Sequence, residues 1–402
     1  MTIEDGPNKQ VISIDIDTVY QTLYYSALTI FLIYSVLNSS MYNIYLRGYS
    51  TEVYTVCCLL VTGAGISKIT KLKWNVNFVF TVLVLLGLEA LQLLVRPDLG
   101  LTTMLLFVLM SVGTSFEKTA KISLSILSVV LLFVILSSEI GLIKNVSWQM
   151  GNRVRQMLGF GTALRASKIM LNITWLVLYL NRRKIALLKV CILVLLNCVI
   201  YALTVSRLNF YIAILSILVV YLFQNRKILR YITAIAPIWF CICMLFSLFT
   251  TLKYDYTNQI QFNLNSFLES RLSLGQFNIA TYGIGWLGSK SFTMNGIEYD
   301  AYGNSLLGIG SVYNYVDNLY VQYLIQYGIL FMIIILAVLF IVSVRLKKND
   351  KSKVILTLFM LMAIVSIVDD GMLKLQYNTF MLLAVEVMFG KLNNSHYDKD
   401  VE

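Results

Sequence analysis

Long apolar runs fill most of the chain, and short polar connectors separate them. A membrane-spanning helix needs roughly 20 mostly apolar residues, and about 17 can suffice. The pattern predicts about twelve spans, in an all-α polytopic protein that forms one integral membrane domain over residues 1–402. The predicted spans are 19–39, 52–67, 78–95, 101–116, 122–142, 167–182, 184–204, 208–224, 231–252, 319–344, 353–369 and 373–390.

One stretch breaks this pattern, because residues 253–318 are polar and rich in Gly, Asn, Tyr and Ser. Irregular backbone cannot face lipid, since its N–H and C=O groups would stay unpaired there. The stretch is therefore predicted to be a large loop at one membrane face. Apolar residues at helical spacing within 262–274 predict a short amphipathic helix in it. Arg271 falls on the inward face of that helix, whereas Glu269 is expected to project elsewhere.

Composition supports a membrane protein, with 58% hydrophobic residues, 13% charged residues and a mean hydropathy of +0.75. Soluble domains carry about 25% charged residues. A net charge of +11 would suggest a nucleic-acid partner in a soluble protein, but here it matches basic cytoplasmic loops, so no nucleic acid is expected. The six cysteines lack metal-ligand spacing, and the only histidine, His396, lies in the polar tail, so we expect no metal and no cofactor.

Lysine and arginine collect in five connectors, which twelve spans place on one side together with both termini. Because cytoplasmic loops are enriched in these residues, that side is predicted to be the cytoplasm. The chain is then a multi-pass cell-membrane protein whose large loop faces outward. The five connectors contain Lys68/Lys71/Lys73, Lys118/Lys121, Arg182/Arg183/Lys184, Arg226/Lys227/Arg230 and Arg345/Lys347/Lys348/Lys351/Lys353.

A first basic outer loop, 143–166, departs from this charge rule, and the next outer turn adds one more arginine. No acid lies between Glu139 and Asp255, so these cations have no acidic neighbour in sequence. Three partners stay open: acids of the large loop, lipid headgroups, or an anionic ligand such as phosphate. A planar guanidinium suits phosphate because it can bond two oxygens at once. The arginines are Arg153, Arg155, Arg165 and Arg207.

The large loop ends in Asp317-Asn318, where the chain enters the next span. Both residue types favour a helix N-cap, and a carboxylate at this position could also act as a general base, so both interpretations stay open. Tyr-Gly-x-Gly at Tyr282 predicts a tight turn or a close approach of backbone to a ligand. Its aromatic ring suits either a sugar face or the membrane interface. Asp369 and Asp370 fall in a predicted outer turn and are expected to be solvated.

Four features together resemble the Wzy-type bacterial polysaccharide polymerases of the O-antigen polymerase and ligase superfamily. The first is about twelve spans with one large outer loop late in the chain. The others are Arg-x-Arg-x-x-Leu-Gly-Phe-Gly from Arg153, Thr-x-Ser-Arg ending at Arg207, and Arg271 followed by Tyr-Gly-x-Gly and Asp317-Asn318-x-Tyr320. Ligase relatives carry His-Asn in place of Asp-Asn, which favours a polymerase. The usual proline-asparagine after Gly-Phe is missing.

The resemblance implies a GT-C-like fold and metal-independent glycosyl transfer at the outer face of the membrane. The donor would be a glycan on undecaprenyl diphosphate and the acceptor a lipid-linked repeat unit of a capsule, exopolysaccharide or O-antigen. Membrane lipids, a flippase and a chain-length regulator are the expected partners. The implied catalytic residues are Asp317, Arg207 and Arg271. The implied diphosphate- and glycan-binding residues are Arg153, Arg155, Arg165, Asn318, Tyr282 and Tyr320.

Three other functions stay open from the residues alone. A lipid-linked oligosaccharide flippase also uses many spans and cationic residues, although transporters usually show internal repeats and interrupted helices. A ligase would pass finished glycan to another acceptor. A membrane scaffold would carry out no chemistry.

Overall fold

The computed structural model describes residues 16–69, 76–95, 97–150, 153–223, 231–297, 299, 302–305, 313–348 and 352–389. The chain is mostly helical, with a small hairpin of strands β1 (Ser147–Met150) and β2 (Arg153–Gln156) paired antiparallel. The helices are α1 Ile16–Asn38, α2 Asn43–Leu46, α3 Ser50–Ile69, α4 Val76–Val95, α5 Leu99–Leu109, α6 Phe116–Glu139, α7 Ala163–Leu180, α8 Leu187–Thr204, α9 Arg207–Phe223, α10 Ala236–Leu252, α11 Gln259–Phe267, α12 Arg271–Tyr282, α13 Leu319–Gln326, α14 Gly328–Lys347, α15 Lys353–Val365 and α16 Leu383–Phe389.

Within the described residues, seven helices are long and apolar enough to cross a membrane, so the chain is a helical membrane protein. Four further apolar helices have 10–17 residues. The seven are Asp17–Asn38, Asn43–Ile66, Phe116–Glu139, Ala163–Leu180, Leu187–Thr204, Thr233–Leu252 and Gly328–Lys347. The shorter four are Leu99–Leu109, Arg207–Leu222, Lys353–Val365 and Thr379–Met388.

The predicted amphipathic helix over 262–274 is two helices in the structure. α11 ends at Phe267 and α12 begins at Arg271. Glu269 and Ser270 between them have left-handed φ values of +51° and +67°, which a right-handed helix cannot contain. The chain therefore turns sharply just before Arg271.

Two predicted spans are also broken. The run 319–344 divides at Gly328, whose φ of +89° ends α13 and starts α14. The run 373–390 forms 3-10 turns at Gly371–Leu373 and Thr379–Leu382 before the short helix α16. Apolar periodicity does not reveal such breaks, because a glycine inside an apolar run is compatible with a continuous helix.

Helix α7 lies at the centre of the bundle and carries an unusual number of buried polar side chains. Asn197 donates to the Thr174 hydroxyl at 2.9 Å, and the Trp175 indole donates to Ser216 at 2.9 Å. Hydrogen bonds of this kind join helices inside a membrane, where apolar contact with lipid is no worse than with protein. α7 is therefore the helix against which other elements are positioned.

The irregular segment 366–382 packs on α7 through Asn172. The Asn172 amide donates to the Gln376 carbonyl at 3.2 Å and to the Thr379 hydroxyl at 3.1 Å, and its oxygen accepts from the Thr379 N–H at 3.4 Å. Non-helical backbone is tolerated at membrane depth only where protein satisfies its polar groups. The Asn172 side chain satisfies polar groups of this segment at both Gln376 and Thr379.

Basic residues gather at one end of the bundle. Lys118 donates to Gln21 at 2.9 Å, so the beginnings of α6 and α1 lie together. Arg182 pairs with Glu117 at 3.4 Å, which places the end of α7 beside them. Several residues of the predicted basic connectors lie outside the described part of the chain, namely Lys71, Lys73, Arg226, Lys227, Arg230 and Lys351.

The opposite end, here named the loop end, carries the hairpin, the large loop and the turn at 366–370. There Gly288 (φ +81°) packs backbone to backbone on Gly328. A Cβ on Gly288 would lie 2.3 Å from the Gln326 carbonyl oxygen, and one on Gly328 would lie 2.4 Å from the Gly288 nitrogen. The predicted glycine-rich turn is thus a close approach between two stretches of this chain.

Candidate functional site

Arg271 is the first residue of α12 and its side chain is only 6% exposed. Its Nε donates to the Asp317 carbonyl at 3.2 Å and its Nη1 to the Leu268 carbonyl at 2.9 Å. Its Nη2 lies 3.8 Å from the Asp317 carboxylate. The inward position predicted for Arg271 is confirmed, and the guanidinium joins the beginning of the large loop to its end.

The turn before Arg271 is held by Asn265. Its side-chain oxygen accepts from the Leu272 and Ser273 N–H groups at 3.0 and 3.1 Å, which caps α12 from the preceding helix. The Ser270 N–H donates to the Asn265 carbonyl at 2.8 Å. A left-handed non-glycine residue costs about 1–2 kcal/mol, so the two at Glu269 and Ser270 store strain that these bonds offset.

Glu269 faces the arginines, so the prediction that it projects elsewhere is wrong. Its carboxylate lies 3.0 Å from Arg155 and 4.0 Å from Arg271. The prediction failed because helical spacing does not hold across the left-handed turn. Of the three partners left open for the basic outer loop, an acid of the large loop is the one that Arg155 has.

Arg155 reaches this point from the hairpin. Its Nη2 also donates to the Val205 carbonyl at 3.2 Å. Val205 is itself left-handed at φ +52°, a rare conformation for a β-branched residue. The hairpin, the α8–α9 turn and the large loop therefore meet around one guanidinium.

A second charged cluster lies beside the first and was not predicted. The Lys168 Nζ, in α7, lies 2.9 Å from Asp369 and 2.8 Å from Asp370. Lys374 contacts Asp370 at 2.7 Å, and the Tyr315 hydroxyl donates to it at 2.8 Å. Asp369 and Asp370 are buried, so the expectation that they are solvated is wrong. The apolar periodicity of the span gave no reason to connect Lys168 with acids some 200 residues away.

Each acid is affected differently by these neighbours. Burial raises the pKa of Asp317 above its ordinary value, although Lys168 and Arg271 act in the opposite sense. Burial would also raise the pKa of Asp370, but Lys168 and Lys374 hold it well below the usual range. Of these two acids, Asp317 therefore takes up a proton more readily.

The Asp317 carboxylate is 17% exposed, and no donor in the described residues hydrogen-bonds to it. Burial together with Asp370 raises the pKa of the nearby Tyr315 hydroxyl well above its usual range, so that phenol stays protonated. Asp317 therefore combines access, a raised pKa and a neighbouring cation. These are the properties expected of a general base at a site that binds an anion.

The other predicted arginines have different environments. Arg207 begins α9, two residues after Val205, and pairs with no acid that the structure describes. Arg165 donates to the Ser39 carbonyl at 2.8 Å and packs over Gly161, so it ties the first basic loop to the end of α1. Arg153 lies in β2, but its side chain is outside the described residues.

Three predicted binding residues have their polar groups engaged within the protein. Asn318 caps α13 by accepting from the Val321 N–H at 3.3 Å and donates to Ser247 at 2.8 Å, in agreement with the helix-cap interpretation. The buried Tyr320 donates to the Ala363 carbonyl at 2.9 Å. Tyr282 is half-buried and accepts from Asn314 at 3.4 Å.

A cavity of about 20 Å³ lies between α7, α9, α15 and the segment after Asp369. It is large enough for a single water and has polar groups on several sides. In the described part of the chain, no three His, Cys, Asp or Glu side chains are grouped as metal ligands. The cavity is lined by Lys168, Leu171, Trp175, Asn209, Met362, Val365, Ser366, Asp369, Gly371, Met372, Tyr377 and Asn378.

Comparisons with known proteins add no further assignment. The chain matches no protein-family model, and no curated protein or solved structure is significantly similar to it.

Proposed function

We propose that the chain is a Wzy-type polymerase that joins undecaprenyl-diphosphate-linked repeat units at the outer face of the cytoplasmic membrane. In this proposal the loop end is extracytoplasmic, both termini are cytoplasmic, and about twelve passes form a GT-C-like arrangement. The main support is the meeting of Arg155, Arg271 and Asp317, which come from two separate loops, around one partly exposed point.

The leaving group in such a transfer is a lipid diphosphate. The bond between the anomeric carbon and the diphosphate oxygen breaks, and the electron pair stays on that oxygen. Preorganised cations stabilise the charge that develops, and Arg155 and Arg271 are held in place by backbone carbonyls for this role. Arg207 begins α9 two residues after Val205, whose carbonyl accepts from Arg155, and the proposal assigns it as a third cation.

The acceptor hydroxyl attacks the anomeric carbon and must lose its proton. Asp317 accepts that proton in the proposal and later returns it to water. Its raised pKa brings the proton affinity closer to that needed for a base near neutral pH. Arg271 bonds the Asp317 carbonyl, so the base and the phosphate-binding cation are positioned together.

The test uses purified protein and a lipid-linked repeat unit, with the product analysed as a ladder on a gel. Arg271→Gln is expected to lower the rate of polymer formation about 10²–10³-fold, the usual effect of losing one preorganised donor. Arg47→Gln is the matched control, since Arg47 is exposed at the loop end. A full ladder from Arg271→Gln would contradict the proposal.

A transporter of lipid-linked oligosaccharide is the second candidate. It is favoured by the buried charged cluster of Lys168, Asp369, Asp370 and Lys374, named here the Lys168 cluster. Buried ionisable groups within membrane helices often form proton relays in transporters. The two functions differ in the material that a deletion strain accumulates. Single repeat units at the outer face indicate a missing polymerase, whereas units at the inner face indicate a missing transporter.

A further inference from the structure

Glu269 lies between two arginines that belong to different loops. Its two carboxylate oxygens face different partners, with Oε1 3.0 Å from the Arg155 Nη2 and Oε2 4.0 Å from the Arg271 Nη1. Two anionic oxygens between two guanidinium groups are also what one phosphate group of a diphosphate would present. The carboxylate therefore fills the place that such a ligand would take.

The Glu269 carboxylate is held more loosely than that of the nearby Asp370. Its side chain is 30% exposed, whereas that of Asp370 is 1% exposed and contacts Lys168, Lys374 and Tyr315. Glu269 makes one hydrogen-bonded ion pair and one longer charge contact. A group with this exposure can leave its partners without placing a charge in an apolar environment.

The backbone also favours a residue that can move. Glu269 and Ser270 are adjacent left-handed residues, and neither is glycine. Strained backbone persists where surrounding contacts compensate for it, and the Glu269 ion pairs are among those contacts. Loss of these pairs would remove part of the support for the turn, so ligand entry and turn relaxation are linked.

Among the described residues, the ion pairs of the two clusters join four cations to four acids. An arriving dianion therefore meets arginines that already have a carboxylate beside them, unless that carboxylate moves away. Glu269 is the most exposed acid of the set and the one between the two arginines. The cations are Lys168, Lys374, Arg155 and Arg271, and the acids are Asp317, Asp369, Asp370 and Glu269.

We propose that Glu269 is an internal placeholder in a phosphate subsite formed by Arg155 and Arg271, and that a diphosphate displaces it. The identity of the natural ligand, a lipid-linked diphosphate, rests on the proposed function. The displaced carboxylate turns to solvent, and both guanidinium groups pair with phosphate oxygens. Monovalent anions compete poorly with the tethered Glu269 carboxylate, so the subsite selects for a multiply charged ligand.

The experiment measures binding of inorganic pyrophosphate to the full-length protein in detergent by calorimetry. Glu269→Gln is expected to bind about fivefold more tightly than wild type, the size expected for a competing ion pair that is partly screened by solvent. Glu52→Gln is the matched control, because Glu52 is exposed at the loop end and its loss changes the net charge equally. Equal or weaker binding by Glu269→Gln overturns the proposal.

A second variant covers the case in which Glu269→Gln does not fold. Glu269→Cys is labelled with a neutral methylthio group or with a sulfonatoethylthio group that restores the negative charge. The neutral label is expected to bind pyrophosphate more tightly than the sulfonate, with wild type treated in the same way to account for its six cysteines. Identical affinities for the two labelled forms overturn the proposal.

The two hypotheses fail separately. Tighter pyrophosphate binding by Glu269→Gln in a protein that forms no polymer supports the placeholder and removes the polymerase function. Loss of the polymer ladder in Arg271→Gln, with pyrophosphate affinity unchanged in Glu269→Gln, supports the polymerase and overturns the placeholder.

Discussion

Two charged regions lie side by side at the loop end, and they are built differently. Around Asp370, three donors converge within 2.7–2.8 Å on a carboxylate that is 1% exposed. Around Glu269, the two arginines lie at 3.0 and 4.0 Å from a carboxylate that is 30% exposed. The Asp370 carboxylate is therefore buried with three short contacts, whereas the Glu269 carboxylate is partly exposed with one short contact and one long one.

This difference suits the region around Asp370 to holding the fold together and the region around Glu269 to exchanging one partner for another. A buried charge network is costly to break, because any group left behind stays uncompensated in a low-dielectric environment. A pair whose carboxylate is partly screened by solvent is weaker, so a competing anion can replace that carboxylate more easily. The Lys168 cluster holds the segment after Asp369 against α7, next to the arginine region.

The largest expected effect comes from removing the anchor. Lys168→Met leaves Asp369 and Asp370 buried without their main cation and should lower the free energy of unfolding by about 3–5 kcal/mol. Lys121→Met is the matched control, since its pair with Glu117 at 2.9 Å is 64% and 46% exposed and should change stability by less than about 1 kcal/mol. Unfolding by SDS titration measures both. Equal shifts would show that Lys168 is not an anchor.

The next effect concerns activity rather than stability. Asp317→Asn removes the proposed base and should lower the polymerisation rate by about 10²–10⁴-fold. Because burial raises the pKa of Asp317, the wild-type rate should increase with pH through a value above that of an ordinary aspartate, and Asp317→Asn should lose this dependence. Rates measured against pH test both statements.

Asp255→Asn controls for the loss of one loop carboxylate, because Asp255 is exposed and bonds its own turn through Thr257. Its pH profile should match wild type. If Asp317→Asn retains the wild-type profile, the proton is accepted by another group.

The smallest effect lies in the strained turn. Ser270→Gly removes the cost of a left-handed side chain of about 1–2 kcal/mol but adds backbone entropy to the unfolded chain, so the free energy of unfolding should rise by up to about 1 kcal/mol. Thermal melting measures this change. Ser273→Gly, inside α12, should instead destabilise the protein, and a loss of stability in both variants would show that the turn is not strained.

The sequence predicted much of the helical architecture and one important side chain. Apolar run length alone placed the seven long helices, and Arg271 is buried as predicted, although the spacing from Phe267 that suggested this does not continue across the turn. These features follow from local patterns of a few turns. The helix break at Gly328 was not predictable, because it depends on the distant backbone of Gly288. The break at Glu269 was missed because the Asn265 side chain caps the next helix, and apolar periodicity does not report such a cap.

The sequence contained two signals for the Lys168 cluster, although it did not show that they belong together. A lysine inside an apolar run is a signal by itself, since an ionisable residue in a membrane segment usually has a partner. Two consecutive acids at Asp369 and Asp370 gave the matching signal some 200 residues later. Only the packing of segment 366–382 on α7 joins the two, and no local pattern encodes that packing.

The backbone crossing of Gly288 and Gly328 holds the middle of the large loop against the start of α14. The Ser289 N–H bonds the Ile325 carbonyl at 2.9 Å, and the Ile329 N–H bonds the Gly285 carbonyl at 3.0 Å, so the chain is pinned on both sides of the crossing. The loop is therefore clamped twice, once by this crossing in its middle and once by the contact of Arg271 with Asp317 near its end. A displacement at Glu269 would reach the segment that leads to Asp317 through Arg271 and not through the crossing.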